Sequence, residues 1–492
     1  MSGSAHTAAA RPNLQRRLDV FGLFALAFGS MIGVGWVTAM GSWLTQAGPI
    51  GAALAFMAGG VVMLCIGLCY AELTPMLPLA GGEVAYAYRA YGTGKAFVIG
   101  WFLAFGYISV SAFEAISVGR VLAYMLPNVD RWVLYEIGGA PVYATHLLLA
   151  IGCTAGITAL NYLGVGWAAR FQKWLIVAFI AITVIFIGAG LLGGSIRNIQ
   201  PAVVGEGMGM MAGVAAVFVT VPFWFVGFDT IPQGAEEADA SIPPKKLGVL
   251  ILVSIVAATG FYAVLIVSVA MTGPWQNIAA ADLATARAFS YAFGSDLLVN
   301  LVLLAALIGL LTSWNGFFLA GSRVLFSLGR GRIIPEGFGT THPTFGTPHR
   351  AVVFAGFVTM LAPLLGRNAL LAFVDVGAFC IGIAFLGVGL TTIRLRHIAP
   401  GVHRPYRIPG GLAVPMLAVA GALLILLVMV IPGSPAALTW PGEVLILSAF
   451  ALLGAVFWVG GRQRAAVTEE ERAYLILEDY APQAKSTAAT AS

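Results

Sequence analysis

Charge is what this chain has least of. Only 10% of its 492 residues are Asp, Glu, Lys or Arg, against about 25% in a soluble domain. So little charge cannot dress a surface that faces water on all sides, which excludes an ordinary soluble enzyme and leaves a polytopic membrane protein. Histidine is scarce too. His6, His146, His342, His349, His397 and His403 fall in the tail, in loops or at a span edge, where they assemble no intramembrane metal or nucleophile site. The four cysteines, Cys65, Cys69, Cys153 and Cys380, lie in apolar runs and offer neither a disulfide framework nor metal spacing. No G-x-x-x-x-G-K-[ST] loop occurs, which argues against direct ATP coupling. The polar, basic N-terminus lacks the short apolar core of a cleaved signal peptide. The net charge of +5 is scattered among loops and forms no stripe for nucleic acid. An enzyme, a cofactor and a nucleic-acid partner are therefore not expected.

What the chain has in abundance is long apolar runs. A helix needs about 20 apolar residues to cross hydrocarbon. Twelve runs qualify, at 19–44, 48–74, 94–126, 143–162, 168–193, 207–238, 247–272, 294–328, 350–366, 369–394, 412–432 and 442–461. Placing the N-terminus inside puts 21 of the 26 lysines and arginines on cytoplasmic segments, among them Arg462, Arg464 and Lys485 near the C-terminus. Arg120, Arg131, Arg197, Arg287 and Arg367 remain outside. By the positive-inside rule both termini are cytoplasmic, and an even number of spans follows. The stretch "TEEERAYLILEDY" reads as a short peripheral helix in the C-terminal tail.

Two spans weaken themselves near their middles. The first carries Gly29, Gly33 and Gly35 within "GSMIGVGWV", although glycine costs a helix interior about 1 kcal/mol relative to alanine. The sixth carries Pro222, Gly227, Asp229 and Pro232, where a proline costs about 3 kcal/mol and an aspartate at mid-depth ~3 kcal/mol. Paired interruptions in corresponding spans point to a transporter site at the midplane. Unwinding at Gly33 and Gly35 frees N–H groups that suit a carboxylate. Carbonyls ending the inner half-helix, and those from Phe223 to Val226, suit an ammonium. Gly29 and Gly33 also spell the small-residue packing motif; the matching break in the sixth span favours the binding reading.

"GSMIGVGWV" and "FWFVGFDTIPQGAEEADASIPPKKLGVLI" resemble the first and sixth helices of the amino acid–polyamine–organocation transporter superfamily. "AELTPMLPLAGGEVAYAYRAYG", "NYLGVGWAARFQK" and "GSRVLFSLGRGRIIP" are similar to its link between helices 2 and 3, its entry to helix 5 and its exit from helix 8. The resemblance covers nearly the whole chain. It implies an all-α fold of twelve transmembrane helices, a five-plus-five inverted repeat of the leucine-transporter type with helices 1 and 6 broken, and two added helices. The units would be a cytoplasmic tail over 1–18, a transport core over 19–395, two further helices over 396–461 and a cytoplasmic tail over 462–492. The expected function is a secondary transporter moving amino acids across the plasma membrane by alternating access, or else a polyamine or other organic amine. The candidate substrate residues are Met31, Ile32, Gly33, Val34 and Gly35 on the first span and Phe223, Val226, Gly227 and Phe228 on the sixth. In this resemblance the substrate carboxylate meets the Val34 and Gly35 backbone, and its amino group meets carbonyls of Ile32, Phe223 and Val226. Tyr107 and Asp229 match gating residues.

Coupling is left open between a proton and sodium. Phe179 stands where some members of the superfamily place a coupling lysine, and Lys173 reads as an interfacial anchor. Thr312 and Ser313 sit where sodium-coupled members bind their ion, although both hydroxyls can simply bond back to their own helix. Glu114, an acid inside the third span, is a functional hypothesis by default. It would receive a cationic group or carry a proton, or else pair structurally with Arg120 or another helix. Asp375 is a weaker case of the same kind. Glu236 and Glu237 are expected to balance Lys245 and Lys246. Phe223, Trp224 and Phe228 are candidates to close over a ligand, and Trp314 and Asn315 either line its pocket or pack.

Overall fold

The computed structural model describes residues 11–126, 128–204, 209–281, 283–434, 437–460 and 467–480. Arg462, Arg464, Lys485 and residues 1–10 lie outside them. Nineteen α-helices run through the described residues. The first span begins as α1 (Val20–Met31), stops, and resumes as α2 (Gly35–Thr38). Next is α3 (Met40–Met76), which Gly48 divides with a φ of 72°. A left-handed glycine followed by Pro49 ends one helix and starts another, so the C-terminal end of span 1 and all of span 2 share α3. After it come α4 (Gly82–Tyr91), α5 (Thr93–Met125), α6 (Ala144–Leu163) and α7 (Val165–Gly193). A hairpin of β1 (Val133–Ile137) and β2 (Ala140–Tyr143) sits between α5 and α6, a small addition to an otherwise helical chain.

The sixth span comes in pieces: α8 (Met210–Phe218), α9 (Val221–Phe225) and α10 (Thr230–Gly234). The axis bends by 42° between Phe218 and Val221, where Pro222 lies in the first turn of α9. The second half holds α11 (Pro244–Met271), the short α12 (Trp275–Ala279) and α13 (Ala284–Phe293), then α14 (Asp296–Arg330) and α15 (His349–Leu361). It ends with α16 (Ala369–Ile398), α17 (Ala413–Val430), α18 (Gly442–Gly460) and α19 (Glu469–Leu477). Ten helices among the described residues are long and apolar enough to cross a membrane, or eleven if the bent sixth span counts as one. The ninth expected span, 350–366, is the shorter apolar helix His349–Leu365. Its last turn tightens over Ala362–Leu365 around Pro363.

Burial sorts the helices. The apolar windows of α1, α5 and α14 are mostly buried, and those of α6, α7, α17 and α18 are buried at fewer than a third of their positions. Leu192, Val456 and Val459 face outward, as lipid-facing side chains do in a bundle with no aqueous outer wall.

The basic end of the bundle is held by buried ion pairs. Arg323 of α14 clasps Glu237 through two hydrogen bonds of 2.9 and 2.8 Å, both side chains being at most 1% exposed. Arg330 takes Glu236 in the same forked way at 2.7 and 2.9 Å, and Arg11 joins it at 3.2 Å. This corrects the expectation that Glu236 and Glu237 balance Lys245 and Lys246, which are exposed. The last turns of α14, distant in sequence, bring guanidiniums whose fork matches a carboxylate. The C-terminal α19 also differs from expectation. Arg472, Leu475, Ile476 and Leu477 are buried, and Tyr88 of α4 bonds Glu469, so the helix packs into the bundle.

Removing one partner of a buried pair leaves an uncompensated charge and costs about 3–5 kcal/mol. Arg323→Ala should lower the thermal midpoint in detergent markedly, and the double variant R323A/E237A should recover part of the loss.

Candidate functional site

The two interruptions touch. Gly227 has a φ of 135°, and a Cβ on it would stand 2.6 Å from Met31 N and 2.8 Å from Ser30 C. Only glycine accepts that dihedral and that approach together. On the α1 side the helix stops at Met31, whose carbonyl accepts from the Tyr262 hydroxyl of α11 at 2.9 Å. The N–H of Ile32 still reaches back to Phe28 O. Those of Gly33 and Val34 find no backbone carbonyl among the described residues, and Gly35 opens α2 with its N–H free of the helix ladder. On the α9 side, Val226 N bonds Phe223 O at 3.3 Å and Thr230 N bonds Gly227 O at 3.0 Å, turns in place of a helix.

Between the breaks lies a cavity of about 30 Å³ lined by Gly33, Val34, Gly35, Phe113, Glu114, Phe223, Trp224 and Ser313 among others. That volume holds about one or two waters. The Trp224 ring lies on Gly35 so closely that any Cβ there would overlap it. Above it opens a vestibule of about 1060 Å³, facing the end away from the N-terminus, and Trp224, Phe223 and Val226 line both spaces. Trp224 thus sits at the partition.

Sequence reasoning placed most of this lining. Met31, Gly33, Val34, Gly35, Phe223 and Val226 all border the small cavity. Ile32 is buried beside them at the break. Phe228 is not brought there: it points away and packs on Tyr70 and Phe385. Glu114 comes directly to the break. A Cβ on Gly33 would meet Glu114 Oε1 at 2.6 Å and Ser313 Oγ at 3.1 Å, and Glu114 Oε2 has no hydrogen-bond partner. Its neighbours are therefore Gly33 and Ser313, and Arg120, which is exposed on the vestibule wall, is not its pair. Asp375 lines the vestibule beside Glu443.

Below the cavity the bundle is shut. The Tyr107 hydroxyl donates to Asp229 Oδ2 at 2.7 Å, and Gly227 N donates to Asp229 Oδ1 at 2.8 Å, all in the buried interior. Thr312 bonds back to Gly309 O at 2.8 Å and lies 3.2 Å from Gly29 O. The spacing analysis missed a ladder of amides at this level. Gln172 Nε2 donates to Ala25 O at 3.1 Å and Thr312 O at 3.0 Å, and its Oε1 accepts from Asn315, whose Oδ1 accepts from Asn161. It ties α1, α6, α7 and α14 together. Asn315 belongs to this ladder and lines neither cavity, and Trp314 is wholly buried. Gln172 was hidden beside Lys173, which pairs with Asp19 at 2.5 Å.

If Trp224 is the partition, Trp224→Ala should join the two spaces. A Ser313→Cys reporter should then react with a membrane-impermeant thiol reagent several-fold faster in the W224A background than alone, read as labelling rate by mass spectrometry.

Comparison with known proteins agrees with this architecture. Residues 18–457 match the family model described as amino acid permease. The chain is 28% identical over 425 residues to the branched-chain amino acid permease BcaP of Bacillus subtilis (strain 168), covering 84% of this chain and 88% of that one. It is 28% identical over 413 residues to the methylthioribose transporter of the same organism, covering 82% and 86%. It is 26% identical over 414 residues to the aspartate-proton symporter of that organism, covering 81% of this chain and 76% of that one. A family match over most of its length and two helix breaks meeting at one buried cavity lead to one statement: this chain belongs to the amino acid permease family, whose members are transporters and not enzymes.

Proposed function

We propose that the protein is a secondary transporter that carries amino acids across the plasma membrane by alternating access, with both termini in the cytoplasm. The observation that carries this reading is the contact of Gly227 with Ser30 and Met31 over a small closed cavity. Non-helical backbone at membrane depth persists where it lines a cavity, and here two such stretches line the same one. We read the architecture as twelve spans. The shorter His349–Leu365 helix is the ninth, the core over 19–395 is a five-plus-five inverted repeat, and the last two helices are additions.

In this reading the substrate enters through the vestibule from outside. Its carboxylate rests on the N–H groups of Val34 and Gly35. Its ammonium is met by carbonyls of Ile32, Phe223 and Val226, with the free Oε2 of Glu114 close by. A cavity of about 30 Å³ is too small for any amino acid, so Trp224 swings away to admit the substrate and closes behind it. Tyr107 and Asp229 hold the cytoplasmic side shut meanwhile. A second reading has its own observation: a buried acid with an unpartnered oxygen would also hold an organic amine that lacks a carboxylate.

Thermal stability of the solubilised protein against a panel of amino acids, their decarboxylated amines and methylthioribose separates these. A ligand at 100 times its dissociation constant adds about 2.7 kcal/mol. Stabilisation by an amino acid and not by its amine is the expected result; stabilisation by amines alone would move the site to Glu114. The panel also gives Glu114→Gln a clear outcome, with weaker stabilisation by the same amino acid.

The gap between α1 and α14 near Thr312 is spanned by the Gln172 amide, whose N–H groups already answer Ala25 O and Thr312 O. Uptake into liposomes should therefore be unchanged when choline replaces sodium.

A further inference from the structure

Beneath the closed gate lies a carboxyl that the cycle above does not use. Glu83 stands in the first turn of α4 and is 1% exposed. Its Oε2 accepts a hydrogen bond from the Gln233 amide of α10. That bond crosses from α4, which packs on α5, to α10, which packs on α1. The other carboxyl oxygen, Oε1, has no hydrogen-bond partner, and neither has Gln233 Oε1. Gln233 is wholly buried, out of reach of bulk solvent.

An ionised carboxylate and an amide oxygen are both acceptors. Two orphan acceptors, on side chains already joined by one hydrogen bond, lack one hydrogen between them. A proton on Glu83 Oε1 makes that oxygen a donor for Gln233 Oε1, and acid and amide then pair through both edges. This satisfies both buried oxygens at once, as buried polar groups in native structures almost always are.

The surroundings offer one other donor, the buried Tyr70 hydroxyl of α3, which faces Glu83; it answers the carboxyl and leaves Gln233 Oε1 without a hydrogen. Asp229 also faces Glu83, and Tyr86 on its own helix bonds Thr74 at 3.1 Å. Burial, and after it the charge of Asp229, pushes the Glu83 carboxyl up to about 8. The nearby cations are committed elsewhere. Arg394 of α16 donates to Ala90 O at the far end of α4. Arg323 and Arg330 of α14 are clasped by Glu237 and Glu236. On α19, Arg472 pairs with Glu469, which Tyr88 also bonds.

We propose that Glu83 is the proton-binding residue that couples substrate movement to a proton gradient, protonated while the gate is shut and deprotonated when α10 separates from α4. The proposal rests on the transporter reading. The proton arrives from the vestibule by way of the Tyr107 hydroxyl and the Asp229 carboxylate, which are already hydrogen-bonded, and passes to Glu83. Opening of the cytoplasmic side breaks the Gln233 contact and admits water, which takes the proton. One proton enters and one leaves per cycle, and no bond other than O–H is made or broken.

The test uses the full-length protein in liposomes that enclose a pH-sensitive dye, one set free of amino acids for net uptake and one set preloaded with unlabelled amino acids for exchange. An equimolar mixture of the twenty common L-amino acids with tritiated tracer is added outside. The wild type should acidify the lumen of the amino-acid-free set as label enters. Glu83→Gln, a permanent stand-in for the protonated form, should still exchange label in the preloaded set but lose the acidification, and Glu83→Asp should regain it with a shifted pH profile. Acidification by E83Q at the wild-type rate, or net entry of label into amino-acid-free wild-type liposomes without acidification, overturns the proposal. Should E83Q not fold, an E83D pH profile identical to that of the wild type does the same. Wild-type liposomes that take up no label at all sink the transporter reading with it, and the absence of label tells that failure apart.

Discussion

A peptide group that leaves its helix inside hydrocarbon must find a partner other than water or lipid. Most features of this molecule follow from how that demand is met at two places. The carbonyl of Met31 is answered by Tyr262, and the turn at Gly227 is braced by Asp229 and Thr230. What is left unanswered, the N–H groups of Gly33 and Val34, faces a cavity instead of lipid. Because Gly227 lies directly on Met31, the two breaks form one structure with one set of unmet donors and acceptors. A helix interrupted alone would be a defect; two that interlock make a polar chamber in an apolar bundle.

The barriers above and below that chamber differ in kind. On the vestibule side a thin layer of apolar side chains, Trp224 with Phe113, Phe223 and Val226, separates the small cavity from the large one. On the other side lie Tyr107 on Asp229, Gln233 on Glu83, the clasped pairs of Glu236 and Glu237, and then the segment around Arg11. A ring held by packing turns by rotamer change. A stack of buried hydrogen bonds and ion pairs opens only when helices separate, since each charge must be rehydrated as it loses its partner. The described conformation is therefore one in which the barrier on the vestibule side is thin and the opposite one thick.

Much of this was legible in the sequence, for physical reasons. The scarcity of charge fixed the class, and the length of the apolar runs located the spans to within a few residues. The glycines of the first span and Pro222, Gly227 and Asp229 of the sixth carry energetic penalties that only a special backbone explains, so the breaks were readable. Other features depend on which helix lies beside which, and spacing along one helix is silent about that. Glu236 and Glu237 read as partners of the nearby Lys245 and Lys246 because Arg323 and Arg330 are about ninety residues away in the chain. Phe228 belongs to the sixth-span motif and yet faces Tyr70 and Phe385, since the turn at Gly227 rotates it out of the chamber. Gln172 lies in the stretch that resembles the entry to the fifth helix and Glu83 in the one that resembles the link between the second and third, and nothing in the spacing singles out either residue.

Those last two residues share a property that sets them apart from the rest of the interior. Each is a planar side chain that joins elements on different sides of the chamber: Gln172 ties α7 to α1 and α14, and the pair of Glu83 and Gln233 ties α4 to α10. The amide of Gln172 never changes charge, so its ladder links the helices in the same way at any pH. The carboxyl of Glu83 does change charge, and its partner oxygen is satisfied in only one of the two states. The proposed cycle, in which the bundle parts on one side while staying joined on the other, needs both kinds of connection, one that is constant and one that a proton can make or break.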